Sequence, residues 1–371
     1  MGPSTEQVYP ARPEALTAPW LTARLRDQGI LDNGAGVAWF ETAPIGAGSG
    51  FMGRLVRVTL GYDGDAPDAP RSLIAKFAAD PGHHRDIAMQ FRLYEREVTF
   101  YQKVAASFSG AAPHCYAAEI DPATGDSVLL LEDLDAYRTG DQAEGCSAGE
   151  ARMIIDLLAP MHAHYWGRSH EVGWAPPIDG EIQIGGTSAG CAMAWDPCAQ
   201  RFGHRMAPEL HAQRDAFLAA IPALHRRMAE PVQTLVHGDI RLDNLMFGAG
   251  GAHRPAVALD WIVGRSAAVQ DLAYLLSQNL RLDERRAHEA ELVAYYHARL
   301  TELGVTGYTL DQLWTDYRYA VLFLFSYAVL ITGALDPTNE RGAAMMEQLV
   351  HRAASAVMDH DLLPLLRTLN S

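Results

Sequence analysis

At 371 residues and a net charge of −15, the chain is too long for one compact core and too acidic to neutralise nucleic-acid phosphates. Nearly half of its residues are apolar (49%) and a fifth are charged (20%), which excludes disordered, collagen-like and low-complexity proteins. Cys115, Cys146, Cys191 and Cys198 form no C-x-x-C pair, so they read as free thiols of a reducing compartment.

Residues 1–18 lack the basic start and apolar stretch of a secretory signal, and Glu6 stands where a myristoylation signal needs Ser or Thr. Residues 13–28, with Leu16, Trp20, Leu21 and Leu25 at helical spacing before Gly29, predict a helix. A glycine cluster at 46–50 precedes a predicted strand at 54–62, and a second strand is expected at 73–77. Residues 84–108 predict a helix with Ile87, Phe91, Tyr94, Val98 and Tyr101 on one face, and 128–131 a further strand. Beyond that the pattern turns helical, over 150–166, 208–228, 269–280, 284–303, 310–335, 342–358 and from 362 onward. Strands are confined there to 233–236 and 256–259. The longest uncharged run, 319–335, is short for a bilayer span and predicts a buried core helix rather than a membrane segment. These features predict a cytoplasmic α+β protein. A small sheet-rich lobe occupies 1–131, a connector 132–136 and a larger, mainly helical lobe 137–371.

The strongest local pattern is His237-Gly238-Asp239 followed by Asn244, directly after the strand 233–236; a second strand ends in Asp260-Trp261. Such a set suits phosphoryl transfer. One carboxylate, Asp239, accepts a hydroxyl proton, while an amide and a second carboxylate, Asn244 and Asp260, offer hard oxygens to Mg²⁺ on nucleotide phosphates. Only two lysines, Lys76 and Lys103, stand among 28 arginines, so a lysine kept against that bias marks a place for a point charge.

These motifs resemble the aminoglycoside phosphotransferase and choline kinase superfamily, nearest its ecdysteroid-kinase-like branch, over most of the chain from Leu16-Thr17-Ala18-Pro19-Trp20-Leu21 onward. The resemblance implies a two-lobed protein-kinase-like fold, with an antiparallel sheet in the small lobe. It also implies a kinase that uses ATP and Mg²⁺ on a small-molecule hydroxyl acceptor such as a steroid-like alcohol, an aminoglycoside or an amino alcohol. By the same match Asp239 orients or deprotonates the acceptor, Asn244 and Asp260 hold magnesium, and Asp271 braces the catalytic loop. The stretch from Asp260 to Asp271 is about one residue shorter than the family's usual pattern, and Ile262 stands where a polar residue is common. Lys76 in Leu73-Ile74-Ala75-Lys76 resembles the lysine that meets the α- and β-phosphates. Glu97 is its expected helix partner, with Glu95 the fallback. Glu132 and Leu134 resemble the hinge that meets the adenine edge through main-chain atoms. Gly48 and Ser49 lie in a glycine-rich stretch that suits phosphate approach and equally a plain turn. A monomer or homodimer is expected.

Rival readings have less behind them. A protein kinase would show an H-R-D arginine, a D-F-G and an A-P-E, all lacking here. A silent ligand-binding homologue would not need the full catalytic set. Gly186-Thr187-Ser188-Ala189-Gly190 matches the nucleophile elbow of a serine hydrolase, but no doubly wound strand–helix alternation surrounds it, so the stretch reads as a loop. His162 and His164, two positions apart on a helix, read as packed or surface histidines rather than metal ligands.

Overall fold

The computed structural model describes residues 9–45, 53–251, 253–335 and 339–370. The chain divides into two compact units, Met1–Ala136 and Tyr137–Ser371. In the small unit α1 (Ala18–Asp27) starts at Thr17, whose hydroxyl accepts from the Trp20 N–H. The strands are β1 (Gly36–Pro44), β2 (Gly53–Asp63) and β3 (Ser72–Ala78). After α2 (His83–Gln90) and α3 (Leu93–Lys103) come β4 (Cys115–Ile120) and β5 (Ser127–Glu132). They form one antiparallel sheet in the order β1-β2-β3-β5-β4.

Period-two alternation decides the faces of that sheet. Leu73, Ala75 and Phe77 of β3 join Val56, Val58 and Leu60 of β2 and Val128 and Leu130 of β5 in a core with Leu21 and Leu25 of α1. Lys76 lies between Ala75 and Phe77, so its side chain emerges on the other face, where α3 supplies Glu97. The single helix expected over 84–108 is instead two. Arg92 takes a left-handed conformation (φ 54°) and folds its guanidinium forward onto Glu95, which ends α2 and starts α3 in a new direction.

The large unit opens with β6 (Arg138–Thr139) and α4 (Ala148–His164), the latter started by a reciprocal Ser147–Glu150 capping box. Then come α5 (Glu181–Phe202), α6 (Pro208–Ala212), α7 (Arg214–Ala229), β7 (Gln233–Val236), β8 (Leu245–Phe247), β9 (Ala256–Ala258) and β10 (Gly264–Ala267). The remainder is helical: α8 (Val269–Tyr274), one turn of π-helix (Leu275–Asn279), α9 (Leu282–Glu302), α10 (Leu310–Ala334), α11 (Glu340–Asp359) and α12 (Leu365–Leu369). Two small sheets, β10-β7 and β6-β8-β9, complete it, so the α+β expectation describes the molecule.

Helix α10 packs against α5, α7, α8, α9 and α11. By length and composition it is the one helix among the described residues able to cross a membrane, yet 67% of its apolar window is buried within the protein. The loop expected around Gly186–Gly190 is part of α5. Its small residues admit α10 at close range: a side chain at Gly190 would strike Leu330, and one at Gly333 would collide with the Ala194 carbonyl. Tertiary packing overrides the poor helix propensity of the glycines.

Candidate active site

In the large unit β7 delivers the chain into His237-Gly238-Asp239, and the turn needs Gly238 at φ 88°, which a side chain resists. His237 is fully buried and uses both ring nitrogens. Nδ1 accepts from the Asp239 main-chain N–H (3.2 Å), which makes Nε2 the donor to the Leu259 carbonyl (3.0 Å). Burial pushes its pKa down and keeps the ring neutral, as that pattern of bonds requires. The ring also packs against Trp261, centroids 4.5 Å apart and tilted by 46°, so this one residue ties the end of β7 to the end of β9.

The β8-β9 pairing sets Leu245 opposite Ala258, and the Leu259 N–H donates to the Asn244 carbonyl at 2.8 Å. Asn244 and Asp260 therefore flank the same end of that hairpin. Asp260 has φ 54°, a left-handed bend rare outside glycine, and the Ile262 N–H closes back on its carbonyl at 2.8 Å.

Asp271 is completely buried on α8. Its Oδ2 accepts the His237 N–H (2.6 Å) and His162 Nε2–H (3.1 Å), and its Oδ1 accepts the Gly238 N–H (3.1 Å). Burial alone would raise its pKa. The hydrogen bonds from His162 and from the Gly238 N–H outweigh that and hold the carboxyl below the ordinary aspartate range. His162 is thus neither surface nor merely packed: its Nδ1 meets the Tyr296 hydroxyl at 2.8 Å.

Around Asp239 itself, Asn244 Nδ2 donates to both Oδ2 and the main-chain carbonyl, each at 3.0 Å, and the Tyr274 hydroxyl donates to Oδ1 at 3.2 Å. Arg241 Nε lies 3.5 Å from Oδ2. With its amide nitrogen committed, Asn244 has its amide oxygen left to offer a metal ion. That oxygen and the Asp260 carboxylate are the hard donors Mg²⁺ prefers, and they fit a site completed by substrate phosphates. No group of three or more His, Cys, Asp or Glu side chains that could hold a metal occurs among the described residues. The loop continues under the same control: Asn279 Nδ2 donates to the Ile240 carbonyl (2.5 Å), and Gln142 accepts the Leu242 N–H (2.8 Å) while donating to the Gln278 carbonyl (2.9 Å). Tyr274, Arg241 and Gln142 carry no sequence motif, and the helical spacing of His162 and His164 spoke only against a metal site. The one available signal was Tyr274's place three residues after Asp271, on the same helix face.

In the small unit Lys76 Nζ sits 2.8 Å from Glu97 Oε1, with the two side chains 15% and 9% exposed. Glu95 is engaged by Arg92 instead. Glu132 ends β5 in register with Leu73, three positions from the Lys76–Leu129 pair, and its carboxylate accepts the His114 N–H (2.9 Å). Leu134 is buried, and Asp133 between them forms a two-pronged ion pair with Arg57 (2.6 and 3.1 Å). Gly48 and Ser49 lie outside the described residues.

A model of the ecdysteroid kinase-like family matches residues 47–169 and 187–306. No curated protein matches the chain. Among solved structures, a choline kinase from Cryptosporidium parvum Iowa II superposes with a TM-score of 0.56 at 9% identity, covering 95% of this chain and 99% of that one. A choline kinase from Streptococcus pneumoniae gives a TM-score of 0.46 at 14% identity, with 91% and 98% covered. The first likeness carries the two-lobed, protein-kinase-like fold.

Proposed function

The chain belongs to the ecdysteroid kinase-like family of small-molecule phosphotransferases, and we propose that it moves the γ-phosphate of ATP onto a hydroxyl of a small organic acceptor, with Mg²⁺ as cofactor. The observation that carries this reading is the Asp239 carboxylate, fixed through both oxygens beside Asn244 and Asp260. In this reading Asp239 accepts the hydrogen bond of the acceptor hydroxyl, aligns its oxygen for in-line attack and takes its proton as the new O–P bond forms and the bond from the γ-phosphorus to the departing ADP oxygen breaks. Asn244 and Asp260 would hold Mg²⁺, which when bound offsets phosphate charge. Lys76, kept in place by Glu97, would meet the α- and β-phosphates, and the main chain at Glu132 and Leu134 the adenine edge. Gly48 and Ser49 would let main-chain N–H groups approach the phosphates. Arg241 places a permanent positive charge 3.5 Å from Asp239 Oδ2.

The acceptor is proposed to be an alcohol of the steroid, amino-sugar or amino-alcohol type. The test has two stages. Mg-ATP at millimolar concentration should raise the melting temperature, because a ligand of the folded state stabilises it by mass action. ADP release should then rise above the water-only rate in a screen of sterols, amino sugars, macrolides and amino alcohols. Absence of any thermal or calorimetric response to Mg-ATP or Mg-GTP would sink the proposal at its first stage.

A further inference from the structure

The helix that carries Asp271 holds more of the catalytic loop than its main chain. Asp271 binds the N–H groups of His237 and Gly238, and one turn later Tyr274 reaches the side chain of Asp239. The π-turn that follows, with its wider spiral, brings Asn279 around to the Ile240 carbonyl. Three residues of one continuous segment thus address four consecutive residues of the loop.

We infer that Tyr274 is the positioning residue for Asp239, setting the plane of its carboxylate for the acceptor hydroxyl; this rests on the phosphotransfer reading. Rotation about the Cβ–Cγ bond of an aspartate is soft and roughly two-fold, so a carboxylate held through one oxygen still swings. Asn244 and Arg241 both address Oδ2, while Tyr274 addresses Oδ1. The phenol is buried and uses its hydroxyl on a charged acceptor, the stronger kind of hydrogen bond. Burial, reinforced by the neighbouring Asp239 charge, pushes its pKa well above the tyrosine range, so it stays a donor throughout the working pH. Tyr274 does not touch the reacting atoms in this arrangement; it acts through Asp239.

Tyr274→Phe removes one oxygen and keeps the ring that fills the site. The measurement is slow hydrolysis of Mg-ATP, with water as the phosphoryl acceptor and ADP release as the readout, beside crystal structures of the wild type and the variant. The expected result is a kcat lower by about 10- to 100-fold, the scale of one hydrogen bond to a charged group. The KM for Mg-ATP should stay within about twofold, and the Asp239 carboxylate should be turned in the variant structure. Combined with Asp239→Asn, Tyr274→Phe should cost nothing further, because both changes act on one unit. An unchanged kcat, a loss confined to KM or an unmoved carboxylate overturns the inference. A wild type that neither binds nor hydrolyses Mg-ATP overturns the phosphotransfer reading instead. The two crystal structures then decide by themselves whether Tyr274 orients Asp239.

Discussion

In the small unit one cation faces one anion, Lys76 against Glu97 at 2.8 Å, on a strand and a helix respectively. In the large unit Asp271 is held by two main-chain N–H groups and a histidine, and Asp239 by a phenol and an amide with the Arg241 guanidinium beside it. The difference matches the tasks proposed for the two units. An ion pair can admit a phosphate as a further anion, because the lysine is a point charge with three donors. Several donors at once, main-chain N–H groups, an amide and a phenol with a guanidinium nearby, instead fix a carboxylate in place before any substrate arrives, the arrangement a base needs. Damage at Asp239 should therefore cost chemistry, and damage at Lys76 nucleotide affinity.

The largest effect is expected at Asp239. An amide keeps the size of the side chain but cannot take a proton, so Asp239→Asn should lower kcat by at least about 100-fold while the nucleotide affinity stays near wild type. Asp271→Asn should come next, as a loss of stability. It turns an acceptor of three buried hydrogen bonds into a group that also donates, leaving N–H groups of His237 or Gly238 unpaired. The loss should be about 2–4 kcal/mol, read as a lower denaturant midpoint at unchanged slope. This gap should depend on pH. The folded-state pKa of Asp271 lies below its unfolded value, so its contribution is complete above about pH 4 and disappears as pH falls through the folded value. Wild type and variant should thus converge in acid; a gap that widens there would contradict the assignment.

Lys76→Ala follows, with Mg-ATP affinity reduced about tenfold or more, or about 1.4 kcal/mol, whereas Lys103→Ala on the exposed end of α3 should match wild type. Equal losses from both would remove any special role for Lys76. The smallest effect belongs to Ser188→Ala. Its hydroxyl is buried in α5 without a hydrogen-bond partner, so stability should change by less than about 0.5 kcal/mol and phosphotransfer not at all. Loss of an esterase activity in that variant would reopen the hydrolase reading.

What could be read from the sequence was what is local. Asp239 and Asn244 share one short motif, Lys76 stood out by scarcity, and Asp260 ends a plain apolar strand. The exposed first strand β1, with few buried positions, gave no apolar alternation to notice. Helix α5 was hidden because Gly-Gly-Thr-Ser-Ala-Gly has turn composition, and only its fit against α10 makes it helical. The roles of Tyr274 and His162 were hidden for another reason. Each is ordinary in its own helix and gains its role from a partner 35 or 109 residues away.

The division of labour between the units is tested most directly by calorimetric titration of Mg-ATP into wild type, Lys76→Ala and Asp239→Asn, with ADP release measured on the same samples. The account predicts binding by wild type and by Asp239→Asn with similar affinity, binding weakened about tenfold or more in Lys76→Ala, and ADP release nearly lost in Asp239→Asn. Full turnover by Asp239→Asn, or unchanged affinity in Lys76→Ala, would contradict it.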